Sequence, residues 1–341
     1  MCIRDRYNFF ALYSNQDNLD PVLLEVAYDK RPELDRWIIS KYNNLIKEVT
    51  EDMDRYDHMK SVRKIQEFVN EDLSNWYIRR ARRRFWAEEL DEDKKSVYAT
   101  TYEVLVGISK MIAPFAPFIA DEIYINLTGE ESVHLAYFPK ADESLIDNKV
   151  EERMDLVRTL VGLGRGTREK ERIKVRQPLS EILVDGKYQA VIEDLTPLIM
   201  EELNVKKVIF ENKLDEYMNY ALKPNFKVAG PVLGKNIKAF GGALAKADAA
   251  DVVAKLEVDG KIVMEIGGEN VEITDEMVDV KISAKDGFAV AMENNVFTIL
   301  DTTVCLLYTS IDLSLATRRL FVDKEITGEP DYRPQLYKKF L

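Results

Sequence analysis

A chain of 341 residues has room for about two domains. With 46% hydrophobic and 32% charged residues it has the composition of a soluble globular protein, and no run reaches the ~18 uncharged apolar residues of a membrane span. The net charge of −12 argues against a polyanionic partner only as an average, because charges are screened beyond about 8 Å and a local basic patch can still hold phosphate.

The first half has helical periodicity. Pro32 suits a first helical position, and behind it Trp37, Leu45, Val49 and Met53 mark a long amphipathic helix. A second helix is expected from about Lys60 to Phe85, with Val62, Ile65, Val69, Leu73 and Trp76 spaced by three or four. A third begins near Lys94 with Val97, Leu105, Ile108 and Ile112. It should break at Ala113-Pro114-Phe115-Ala116-Pro117-Phe118, since a residue before proline avoids the α region, and restart at Pro117 to about Leu127. A fourth covers about Lys149–Arg172, with Val150, Met154, Val157 and Val161. Short connections between such helices describe a bundle.

The period then changes. Glu181–Val184 and Val205–Glu211 are β-rich runs around a helix at about Ala190–Leu203. Asn219–Val228 is expected to be extended, and Asn236–Leu256 helical with a break near Asp248. Strands follow at Lys261–Ile266, Val271–Thr274, Val278–Ser283, Phe288–Met292 and Val296–Leu300, with turn signals at Asp259-Gly260 and Asp286-Gly287. The predicted fold class is an all-α helix bundle followed by a smaller mixed α/β domain, with the boundary near Gln177-Pro178.

The chemistry is concentrated in arginine. Arg79, Arg80, Arg82, Arg83 and Arg84 crowd a short helical stretch, where they repel one another unless something anionic offsets them. The guanidinium fork matches phosphate oxygens, and the flanking Trp76, Tyr77, Phe85 and Trp86 supply flat rings of the kind on which unpaired bases stack. The alternative is that the rings are core and the arginines pair with Glu88, Glu89, Asp91, Glu92 and Asp93. A second basic element holds Arg165, Arg168, Lys170, Arg172, Lys174 and Arg176 against Glu169 and Glu171, and it equally fits a solvated helix face. Gly162-Leu163-Gly164-Arg165-Gly166 follows no strand and is rejected as a nucleotide fingerprint. Two cysteines, Cys2 and Cys305, and two isolated histidines, His58 and His134, provide no disulfide framework and no metal site. No pair of groups is arranged for nucleophilic or acid–base catalysis.

The ends stand apart. Residues 1–6, Met-Cys-Ile-Arg-Asp-Arg, and the run Cys305-Leu306-Leu307-Tyr308-Thr309-Ser310 resemble translated adaptor sequence, so 1–6 and 305–341 are expected to be non-native. No signal peptide opens the chain, and a cytoplasmic location is the expectation.

Several segments resemble the isoleucyl-tRNA synthetases. Tyr7-Asn8-Phe9-Phe10-Ala11-Leu12-Tyr13 is similar to the helix end leaving that family's catalytic core, and Arg31-Pro32-Glu33-Leu34-Asp35-Arg36-Trp37-Ile38 to the start of its anticodon-binding domain. The most specific stretch is Asp72-Leu73-Ser74-Asn75-Trp76-Tyr77-Ile78-Arg79 with Arg82-Arg83-Arg84-Phe85-Trp86. The Ala113–Phe118 segment with Asp121-Glu122-Ile123-Tyr124 is shared with the valyl and leucyl enzymes. Ser132-Val133-His134-Leu135 and Lys174-Val175-Arg176-Gln177-Pro178-Leu179 narrow the likeness to the isoleucyl enzyme. The resemblance covers about residues 7–304. Its α/β part is similar to the branch that includes eukaryotic cytosolic enzymes, and the lack of cysteine between the two ends fits that branch.

The resemblance implies a C-terminal fragment: 7–28 as the end of the catalytic core, 29–177 as the anticodon-binding bundle and 178–304 as the α/β domain. The whole enzyme would join isoleucine to tRNA(Ile) using ATP and Mg2+. The His-Ile-Gly-His and Lys-Met-Ser-Lys-Ser motifs of that reaction and the editing domain are missing from this sequence, so no catalytic residue, cofactor or metal is assigned to it. The implied tRNA-docking residues are Trp76, Tyr77, Arg79, Arg82, Arg83 and Arg84 in the signature helix, and Arg165, Arg168, Lys174, Arg176 and Gln177 at the junction. A monomer with tRNA as partner and no membrane association is expected. A valyl- or leucyl-type fragment and a free-standing RNA-binding helical module are the alternatives.

Overall fold

The computed structural model describes residues 3–24, 26–266, 268–293 and 296–303. The set-aside stretch 305–341 lies outside the described residues, as do Met1 and Cys2. The chain divides into two compact units, Met1–Asp155 and Leu156–Leu341.

The first unit is helical: α1 (Ile3–Gln16), α2 (Glu33–Asp54), α3 (His58–Glu67), a π-helical segment (Phe68–Ile78), α4 (Arg79–Phe85), α5 (Glu92–Ile112), α6 (Pro117–Thr128) and the start of α7 (Asn148–Lys170). Pro32 stands one residue earlier than expected, as the cap of α2, where its carbonyl accepts from the amides of Asp35 and Arg36 at 3.0 Å. Asp57 caps α3 and Asp91 caps α5, each side chain accepting from the amide three residues on. The proline-rich segment breaks the chain as its sequence predicts, with Pro117 restarting α6.

The stretch expected as one helix over Lys60–Phe85 is three segments in one rod. In its middle the hydrogen-bond ladder widens from i→i+4 to i→i+5. The wider turn brings Trp76, Tyr77 and Ile78, three consecutive residues, all into the core. Trp37, Ile38 and Val49 of α2 and Val97, Tyr98, Leu105 and Ile108 of α5 are likewise fully or nearly fully buried. Edge-on rings tie in α1: Phe9 meets Phe85 at 5.1 Å, and Phe10 meets Tyr98 at 5.8 Å.

In the second unit β1 (Leu179–Asp185) pairs in parallel with β2 (Val205–Glu211) and antiparallel with β8 (Val296–Asp301), which pairs antiparallel with β7 (Phe288–Glu293). The sheet order is β2-β1-β8-β7. The parallel pair needs a crossover, which α8 (Gln189–Ile192) and α9 (Thr196–Leu203) supply. The single helix expected at Ala190–Leu203 is thus broken, ahead of Pro197 in the first turn of α9. Two further antiparallel pairs are β3 (Met218–Pro224) with β6 (Val278–Ala284), and β4 (Lys261–Ile266) with β5 (Glu269–Thr274). Between β3 and β4 come α10 (Phe226–Leu233), α11 (Ile237–Lys246) and α12 (Ala249–Asp259). Helix α10 replaces part of the extended run expected over Asn219–Val228. Its Gly230 and Pro231 lower helix propensity, yet Asn225 caps it and Ala229 and Leu233 are buried in the local core, so packing overrides propensity.

The compact division falls inside α7, earlier than Gln177-Pro178. The reason is visible in the first turns of α7, which are bonded to α2: Asn44 donates to Glu151 at 2.7 Å, Ser40 donates to the same carboxylate, and Arg153 pairs with Glu33 at 2.9 Å.

Close approach of α2 and α5 depends on Gly107, where an added Cβ would overlap the Tyr42 ring. Gly107→Ala is therefore expected to destabilise the chain by about 1–3 kcal/mol. A lower urea midpoint at unchanged slope would register this, and an unchanged midpoint would refute it.

Candidate nucleic-acid interface

Helix α4 has two faces of opposite purpose. Ile78, Ala81 and Phe85, spaced by three and four, are buried. Arg84 turns inward beside them. Its Nη1 and Nη2 clasp the two oxygens of Asp35 at 2.5 and 2.8 Å, and its Nε reaches Asp93 at 2.9 Å. Asp35 has no exposed side-chain surface, and it also accepts from Tyr77 Oη at 3.0 Å and Ser96 Oγ at 2.6 Å. Burial, and then the adjacent Asp35, push the Tyr77 phenol far up, so that it stays a donor. Burial alone would lower the Arg84 pKa, but the bonds to Asp35 reverse this and raise it.

Three of the four flanking rings, Trp76, Tyr77 and Phe85, are buried. Tyr77 is fully buried, and Trp76, 6% exposed, donates through Nε1 to Met154 Sδ at 3.2 Å. The ion-pair reading of the arginine run holds for Arg84. Arg84 is an ion-pair residue, with Asp93 as one partner, whereas Asp91 caps α5 and Glu92 pairs with Lys95. Arg79, Arg82 and Arg83 lie at i, i+3 and i+4 on the other face and are exposed. Trp86 follows them, 55% exposed, its Nε1 held by Tyr13 Oη at 2.7 Å. Sequence reasoning did not single out Asp35. Its signal was an acid in register with Ile38, Ile39 and Tyr42, on what is otherwise an apolar stripe.

Residues 35–183 match the family described as the anticodon-binding domain of tRNA ligase. The chain is 41% identical over 304 residues to an isoleucine–tRNA ligase of Porphyromonas gingivalis. Over most of its length the chain is thus similar to part of the isoleucine–tRNA ligases, and the matched stretch includes the anticodon-binding domain. Similar relatives carry the same name in Clostridium tetani, at 39% identity over 304 residues, and in Bacillus thuringiensis, at 40% over 303. In each case 87% of this chain is matched, but the match spans only 26–29% of the relative's length.

The junction residues lie in the second unit, and they too divide. Arg165 pairs with the buried Glu202. Arg168 is fully buried and makes no ion pair among the described residues. It donates instead to the carbonyls of Lys174 at 3.1 Å, Gln177 at 3.0 Å and Asn204 at 3.2 Å. Burial pushes its pKa down. Lys174 and Arg176 are exposed, and Gln177 is half-buried with its carbonyl turned to Arg168. Trp76, Tyr77, Arg84 and Arg168, expected among the docking residues, thus lie in the interior. Arg79, Arg82, Arg83, Lys174 and Arg176 remain at the surface. No group of three or more His, Cys, Asp or Glu side chains capable of holding a metal exists among the described residues.

Removing one member of a buried, hydrogen-bonded pair strands the other. Asp35→Ala is expected to cost about 3–5 kcal/mol, and Asp35→Leu with Arg84→Met considerably less. Thermal and urea denaturation of the single and double variants checks this. Equal losses in both would show that the pair does not act as a unit.

Proposed function

We propose that the chain is the tRNA-docking part of an isoleucine–tRNA ligase, and that exposed cations on its helical bundle hold the phosphates of tRNA(Ile). The observation that carries this reading is the split of α4: Arg84 locks one side to Asp35, so Arg79, Arg82 and Arg83 are presented together on the other. A preset row of guanidinium forks suits phosphate oxygens better than flexible ammonium groups would. Trp86 at the end of that row offers a ring for an unpaired base.

In the whole enzyme this docking supplies binding energy far from the reacting bond. Such energy can be spent on positioning the tRNA acceptor end where isoleucine, activated with ATP and Mg2+, is transferred. A monomer working in the cytoplasm is consistent with this role. Among the described residues no helix is long and apolar enough to cross a membrane.

Arg82→Ala with Arg83→Ala is expected to weaken tRNA(Ile) binding and to flatten its dependence on salt, lowering the slope of log K against log salt by about 1.5. Stability should change little, since both side chains are exposed. An unaltered slope in a binding titration would remove this face from the interface. The purified chain is expected to form no isoleucyl-adenylate, and pyrophosphate exchange above background would contradict that.

A further inference from the structure

Helix α7 ends in an uncommon way. The amide of Ile173 donates to the carbonyl of Arg168 at 2.7 Å, and that of Arg172 to Glu169 at 3.0 Å. This is the Schellman pattern, whose C′ residue is left-handed and usually glycine. Here it is Arg172, with φ +58°. A side chain at this position costs stability that glycine would not, so the choice of an exposed arginine calls for a reason.

The loop that follows is shaped from beneath. Arg168 draws in the carbonyls of Lys174 and Gln177, and the Asn204 side chain donates to the Val175 carbonyl at 3.1 Å. In a trans peptide the N–H points opposite to the C=O. The amides of Val175 and Arg176 are therefore turned away from the residues that grip their neighbouring carbonyls. Val175 is 46% exposed, and Lys170, Arg172, Lys174 and Arg176 are all exposed around it. Outward amides beside exposed cations suit an anion. A buried arginine without a carboxylate is itself expensive, and this one spends its donors on holding the loop.

We propose that the loop Lys170–Gln177 is a preformed seat for a backbone phosphate of RNA, with Arg172, Lys174 and Arg176 as contacts and Arg168 as the positioning residue under it. The seat rests on the RNA-binding reading above and adds to it a second phosphate contact, on the second unit.

The test is a salt-dependent titration of the full chain with transcribed tRNA(Ile). Lys174→Ala with Arg176→Ala should lower the slope of log K against log salt by about 1.5. Arg172→Gly should raise the melting temperature while weakening binding, an opposition that a purely structural arginine would not produce. Arg168→Met should weaken binding, and combined with the loop double variant it should cost less than the sum of the two separate losses. Additive losses would overturn the positioning role. If Arg168→Met does not fold, Arg172→Gly and the loop double variant decide the matter alone. If the chain binds tRNA, and Arg82→Ala with Arg83→Ala weakens it while the loop variants bind as the parent does, the seat is wrong and the bundle face stands. If the parent chain does not bind tRNA at low salt, both fall.

Discussion

The buried carboxylate of Asp35 is the contact on which the bundle's organisation turns. It sits in the first turn of α2 and receives Tyr77 from the π-helical segment, Arg84 from α4 and Ser96 from α5. Four segments of the rod and its neighbours thus meet at two oxygen atoms. An ionised group there would be costly alone, and it is tolerated because a bidentate guanidinium and two hydroxyls saturate it. Such a hub adds little net stability compared with an apolar core, but it punishes misassembly, since any member out of place leaves a charge without its partner.

That constraint explains how a run of arginines can serve two ends. On seven residues of α4 the helical period sends Arg84 inward with Phe85 and leaves Arg79, Arg82 and Arg83 outward. The inward arginine fixes the rotation of the helix, and the rotation decides which cations face solvent. An overall charge of −12 is then compatible with a polyanionic partner, because screening makes only the nearby cations count. The junction repeats the arrangement with different chemistry. Arg168 is buried among carbonyls rather than carboxylates, and Arg172, Lys174 and Arg176 are carried on the loop it holds.

The sequence by itself determined the elements and their limits wherever the signal is local. Period-three-to-four apolar spacing, caps at Asp57 and Asp91, the proline break before α6 and the Asp-Gly turns at Gly260 and Gly287 all depend on residues a few positions apart. The motifs around Trp76 and Lys174 carried the family likeness in the same way. The tertiary structure alone decided which of the signature residues are buried. Asp35 and Arg84 are 49 positions apart, and Arg168 and Asn204 are 36 apart. No periodicity links such pairs. The same holds for the π-helical turn that buries Trp76 with Tyr77, and for α10, whose burial outweighs its poor propensity. An arginine next to a tryptophan reads alike in one dimension whether it faces RNA or a carboxylate, because the choice depends on what the rest of the chain brings within about 3 Å of it.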